Sequence, residues 1–346
     1  MESTETLLLQ RHDVARLLTI GECISAVEQA FNLYACGKAS APGILGIHAT
    51  QGGFHIKAGI LNLGRNYFVA KTNANFPGNS KTNRLPTIQG IVSVFDAENG
   101  RLLALMDSIE ITILRTGAAT AVAAKYLSRE DSKIVTICGC GNQGEVSLRS
   151  LMEVRRLETI YAFDINKQQA ELFAKKLSRE LKIPVTVVDD PGKAAKRSDI
   201  CVTCTPSRKP FLRPEDIRPG TFIAAVGADS EGKQELYPEI LATGKVVVDL
   251  LEQSKKIGEF QHRSQASQDK CITAHAELGE IVAGTKPGRE SGEEIIIFDS
   301  TGMALQDVAA AAIVYEKAIS GNIGNKIDFS MQESGIALLK KKRKGY

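Results

Sequence analysis

The chain of 346 residues has no tryptophan and only 5% aromatic residues. It therefore offers few of the ring faces that stack on nucleobases. No apolar run reaches the roughly 20 residues that cross a bilayer. Charge of one sign is also missing: 43 Lys and Arg oppose 40 Asp and Glu, leaving +3, too little for a nucleic-acid-binding face. The opening MESTETLLLQRHD carries acids at Glu2 and Glu5 and lacks the layout of a secretory signal. The seven cysteines are odd in number and lack framework spacing, and the one CxxC match has no second pair or neighbouring histidine. Cys201-Val-Thr-Cys204 lies in a strand-like run without a second pair, and Cys138 and Cys140 read as small buried thiols. These absences lead to the expectation of a soluble cytoplasmic protein with no metal, no nucleic-acid partner and no membrane contact. The basic run Lys340 to Lys344 reads as a solvated tail.

What is present is concentrated between Lys133 and Asp164. The apolar run Ile134 to Ile137 enters a Gly139-x-Gly141-x-x-Gly144 turn, and Val146, Leu148, Leu151 and Met152 follow at helical spacing. A second run, Ile160 to Phe163, stops at Asp164, about 20 residues past the last glycine, as in the dinucleotide fingerprint. Gly139 allows the tight turn, Gly141 the approach of a pyrophosphate, and Gly144 close packing of helix on strand. The helix N-terminus supplies N–H donors and a positive dipole end. Asp164 is suited to accept hydrogen bonds from ribose hydroxyls and to repel a 2′-phosphate, which predicts NAD rather than NADP.

The βα rhythm continues with strand-like runs at Val185 to Val188, Ile200 to Thr203, Phe222 to Val226, Val246 to Asp249 and Ile295 to Phe298. Such alternation predicts an α/β protein with a Rossmann-type, doubly wound parallel sheet. The first ~128 residues read instead as an α+β substrate-binding domain. It has a helix over Ile20 to Tyr34, then strands at Gly53 to Lys57, Tyr67 to Ala74, Thr87 to Asp96 and Leu102 to Asp107, and an alanine-rich helix over Ala118 to Tyr126. A late helix, Met303 to Ile319, is expected to pack back on it. The expected division is 1–128 with 312–346 as the substrate-binding and dimerisation domain, and 129–311 as the Rossmann domain.

Ligands of open α/β sheets lie beyond the carboxyl ends of the strands. Asp229 follows the run FIAAVG after one alanine, placing a carboxylate where it can exchange a proton with an amine or imine. The alternative is a turn aspartate capping a helix that holds Glu235 and Leu236. Lys71, in the strand-like YFVAKTNAN, and Arg115, beside Thr116 and Gly117, together suggest an anion site. A structural ion pair is the alternative for both.

The segments KTNANFPGN, RLPTIQG, LMDSIEITILRTGAATAVAAKYL, GCGNQG, VGADSEGKQEL and FDSTGMALQD resemble those of the ornithine cyclodeaminase/mu-crystallin family, in the same order and over nearly the whole chain. The resemblance implies a two-domain homodimer that binds NAD(H) or NADP(H). It implies that Lys71 and Arg115 bind a substrate carboxylate with Thr87 close by. Asp229 would be the acid/base with Lys71 as the second catalytic group, and Lys233 would lie at the substrate. Gly139, Gly141, Asn142, Gln143, Gly144, Asp164, Thr116 and Ser300 would line the cofactor. The chain departs from the family in lacking an arginine after Pro42, for which Lys57 is the expected substitute, and in having Ile56 where cyclodeaminases carry a glutamate suited to a distal ammonium. This favours an NAD-dependent amino-acid dehydrogenase or imine reductase over an ornithine cyclodeaminase, with a mu-crystallin-like binding protein less favoured still.

Overall fold

Apolar residues in this chain follow two patterns, and each becomes a sheet. The computed structural model describes residues 5–40, 42–265 and 272–328; the basic tail lies outside them. The first is a seven-stranded mixed sheet of β1 (Thr6–Leu9), β2 (Gly43–Ala49), β3 (Gly52–Asn62), β4 (Asn66–Asn75), β5 (Ile88–Asp96), β6 (Leu102–Asp107) and, from the far end of the chain, β15 (Asn325–Ile327), in which β3, β4 and β5 alternate in burial. Its order is β15-β1-β6-β5-β4-β3-β2. Lys57, Gly59 and Leu61 of β3 and Tyr67, Val69 and Lys71 of β4 face inward, under the helices, as a period of two requires.

Where the runs are continuously apolar, as in IVTIC, ICVT, KVVV and IIFD, the strands are buried on both faces. They belong to an eight-stranded sheet of β7 (Ile134–Cys138), β8 (Thr159–Phe163), β9 (Val185–Val187), β10 (Ile200–Thr203), β11 (Phe222–Ala225), β12 (Lys245–Val248), β13 (Ala276–Glu277) and β14 (Ile296–Asp299), in which β8 alternates in burial and the edge strand β9 is part-exposed. All pairings are parallel, in the order β13-β12-β14-β11-β10-β7-β8-β9. The direction of winding reverses between β7 and β10, so a crevice opens past their carboxyl ends.

The structure corrects several expectations. Strands β1, β2 and β15 are short or glycine-containing and carry no strong alternation, so the sequence does not announce them; β3 extends to Asn62. The alanine-rich helix runs from Ser108 to Leu127, which puts Arg115 in its interior. Gly117 belongs there because a Cβ would meet Ser150 Oγ and Val146 at 2.7 Å, where the fingerprint helix Asn142–Met152 crosses. Residues 229–236 form no helix, so Asp229 caps none; Leu236 instead bridges to Leu212. The boundary expected at residue 312 falls inside the unbroken helix Ala304–Gly321. That helix packs on Ile20–Ala35, β3 and β4, and β15 then pairs with β1, so the return to the first sheet starts at the turn 300–303.

Candidate functional site

The fingerprint turn has the shape its sequence implies. Gly139 stands at φ +107°, a conformation that a side chain strains. A Cβ on Gly144 would overlap the Gly139 carbonyl oxygen, while one on Gly141 would meet nothing within 4 Å. The cradle is therefore tight on the protein side and open on the ligand side, where the N-terminus of Asn142–Met152 begins. The side-chain Oε1 of Gln143 is buried there without a hydrogen-bond partner. Asp164, past the end of β8, accepts the Cys140 N–H and the Asn166 N–H, each at 2.9 Å. It so fixes the turn and keeps lone pairs for ribose hydroxyls. Ser300, past the end of β14, donates its N–H to Ala225 O at 2.9 Å. Thr116 spends its hydroxyl on Thr112 O at 2.8 Å, within its own helix. The glycine turn, the open helix N-terminus and Asp164 fit a dinucleotide, whereas the Thr116 hydroxyl and the Ser300 N–H are engaged within the protein. NADPH should bind more weakly than NADH, and Asp164→Ser should narrow the gap; tighter or equal NADPH binding in a fluorescence titration rules out this role for Asp164.

The cationic floor of the site comes from the first sheet and two helices. Lys71 Nζ donates to Asp307 Oδ1 at 2.7 Å and Arg115 Nε lies 3.1 Å from the same oxygen, all three side chains being buried. The structural pair is thus present. Further cation gathers here: Arg115 donates also to Gln306 Oε1 at 3.1 Å, and Lys57 lies close enough to feel Arg115, with Asp307, Asp229 and Asp249 as the opposing charges. Burial pushes the Lys71 ammonium down to about 7, with Arg115 and Lys57 adding to the effect against the pull of Asp307. Burial raises the Asp307 pKa, but Lys71 and Arg115 more than offset it, so the carboxyl is held below its ordinary value.

Lys57 has a further task. Its ammonium donates to Thr301 O at 2.9 Å and Gly302 O at 2.7 Å, leaving one of three donors for a ligand. Asp249 takes the N–H groups of the same two residues, so the crossover from Rossmann sheet to returning helix is gripped from both sides. Thr87 precedes β5, and its carbonyl accepts the Phe76 N–H at 2.8 Å. Among the described residues no hydrogen bond joins it to Lys71 or Arg115. Ile56 pairs with Leu45 and Thr72 on the outer face, because adjacent strand residues face opposite ways. The inward residues of this stretch are Gly53, His55 and Lys57.

Past the end of β11, Asp229 Oδ1 accepts from Lys233 Nζ at 2.6 Å, with the carboxylate side chain 52% exposed in the cleft. The surrounding protein raises its pKa. The Lys233 charge, aided by Lys57 and His55, more than offsets this and holds the carboxyl below the usual range. Burial, and then Lys57 and Lys233, lower the His55 pKa against the pull of Asp229. Lys57 links the two groups of charges, lying close enough to feel Arg115 and Asp307 on one side and Asp229 on the other. Asp307 escaped the sequence reading. Its signal was there: a lone acid inside the apolar run ALQDVAAAAIV, which a buried helix tolerates only with a partner.

The sequence pattern of the ornithine cyclodeaminase/mu-crystallin family matches residues 4–322. The alanine dehydrogenase of Archaeoglobus fulgidus is 42% identical over 325 residues, covering 94% of this chain and 99% of that protein. Among solved structures, an archaeal alanine dehydrogenase dimer with bound NAD superposes with a TM-score of 0.89 at 41% identity, covering 94% of this chain and 100% of that one. The Thermococcus litoralis Δ1-pyrroline-2-carboxylate reductase, in complex with NADH and L-proline, gives 0.86 at 35% identity, covering 93% and 100%. Agreement over nearly full length, joined to the site geometry, shows that the chain belongs to the ornithine cyclodeaminase/mu-crystallin family.

Proposed function

We propose that the protein is an NAD-dependent oxidoreductase that interconverts an L-amino acid and its imine or 2-oxo acid. The observation that carries this is the buried Lys71–Arg115–Asp307 cluster and the Asp229–Lys233 pair, with Lys57 close enough to feel Arg115, Asp307 and Asp229 alike. Bound NAD(H) supplies the redox chemistry at the substrate's α-carbon. Arg115 and Lys71 hold the substrate carboxylate, the guanidinium offering the better-matched fork. Asp229, ionised, receives a proton from the amine or from the water that attacks the imine, and Lys233 keeps its Oδ1 oriented. The lowered Lys71 pKa suits it to exchange a proton in the same site. Thr87 borders the carboxylate end, and Asn142, Gln143, Thr116 and Ser300 flank the cofactor.

Two further parts belong to this reading. The outer face of the first sheet exposes Leu45, Ile47, Phe54 and Ile91, at 54, 49, 39 and 44%, an apolar patch that a second copy would cover in a homodimer. A reducing, cytoplasmic setting agrees with the six described cysteines, all free thiols.

The substrate class follows from β3. Its inward residues here include a cation and no carboxylate, and Lys57 repels a second ammonium by about 1 kcal/mol or more. An amino-acid panel scored for NADH formation and for ammonia release should favour neutral amino acids with stoichiometric NADH. Faster conversion of ornithine to proline, with ammonia released and no net NADH, replaces this reading with a lyase.

A further inference from the structure

Three carboxylates lie wholly buried behind the Asp229 turn. Asp299, Glu259 and Glu235 are 0, 1 and 0% exposed, and among the described residues none is paired with a lysine or arginine. They act in series on backbone N–H groups. Asp299, at the end of β14, accepts from Glu259 N at 2.9 Å and Phe260 N at 3.0 Å. Glu259 accepts from Glu235 N at 2.7 Å and Leu236 N at 3.3 Å. Glu235 completes the chain: Oε1 takes the N–H and hydroxyl of Thr205, both at 2.6 Å, and Oε2 takes the Gly227 N–H at 3.0 Å.

Gly227 is where the turn bearing Asp229 starts. Its carbonyl accepts from Asp229 N at 3.0 Å and from Lys233 Nζ at 3.3 Å. A Cβ on it would stand 2.5 Å from Glu235 Oε2, so the glycine is fitted to that carboxylate. Burial is the largest influence on all three acids and pushes their pKa values up, Asp299 to about 7. Buried charge without a cationic partner is weak as a source of stability, since apolar packing of similar volume commonly does as well. What the series supplies is directional: it joins the ends of β14, β11 and β10, three neighbouring strands on one side of the crevice, through fixed donors.

We propose that Glu235 is a positioning residue for the chemical step, its carboxylate setting the pose of Asp229 and Lys233 through Gly227. The proposal rests on the assignment of Asp229 to proton transfer. A double-mutant cycle on the full chain tests it, with kcat and NADH affinity measured for wild type, Glu235→Gln, Asp229→Asn and the pair. Glu235→Gln puts an amide N–H against backbone donors and should lower kcat about 10-fold or more while NADH affinity holds within about 3-fold. In the Asp229→Asn background the same change should cost less than about 3-fold. Equal losses in both backgrounds, or no loss, overturn the proposal, whereas an unaffected Asp229→Asn overturns the assignment of Asp229 itself. If Glu235→Gln does not fold, Thr205→Val, which removes one donor and keeps the carboxylate, carries the same cycle: a kcat loss present only with Asp229 supports the proposal, and a loss independent of Asp229 overturns it.

Discussion

Asp229→Asn should lower kcat about 100-fold or more and leave NADH affinity nearly unchanged. Asparagine keeps the shape and can still accept the Lys233 hydrogen bond, so the turn survives. What is lost is an oxygen that can take a proton. Because Lys233, Lys57 and His55 outweigh burial in holding the Asp229 carboxyl low, its acid limb in kcat/KM should lie below the ordinary aspartate value of about 3.9. The base form is then fully present at neutral pH, and the variant should lose activity without shifting a limb near pH 7. Turnover within a few-fold of wild type would return Asp229 to a purely structural part of its turn.

Asp307→Asn should be the most destabilising single change in the site. It leaves Lys71 and Arg115 buried without their shared carboxylate, and breaking such a pair costs about 3–5 kcal/mol. The loss has a sign in pH. Burial already lowers the Lys71 pKa, and removing Asp307 takes away the influence that holds it up. Between that lowered value and the ordinary lysine value of about 10.4, the unfolded chain binds more protons than the folded one, so stability rises with pH there. Wild type shares this rise from about 7 upward, so denaturant unfolding at pH 5 and pH 7 should show the smaller deficit at the higher pH. A deficit under about 1 kcal/mol at both values contradicts the coupling. Carboxylate substrates should stabilise the variant more than wild type, since they restore a negative charge to Lys71 and Arg115.

The sequence by itself determined the Rossmann half and the chemistry of its edge. Buried parallel strands read as unbroken apolar runs, and a glycine turn that admits phosphate leaves its spacing in the chain, so β7, the fingerprint and Asp164 were legible as local patterns. Asp229 was legible too, as a polar residue shortly after a strand. Lys71 and Arg115 could be recognised as cations needing a partner; the partner could not, because Asp307 lies 236 residues from Lys71 along the chain and only the returning helix brings it under the sheet. The same holds for Lys57, whose ammonium meets Thr301 and Gly302 across 244 and 245 residues. The face of Ile56 was decided by β3 register, which one residue of slip inverts. Local periodicity and turn chemistry are written within a few residues, whereas ion pairs, sheet register and the chain of buried carboxylates behind Asp229 depend on distant segments meeting, and only tertiary packing settles which of them do.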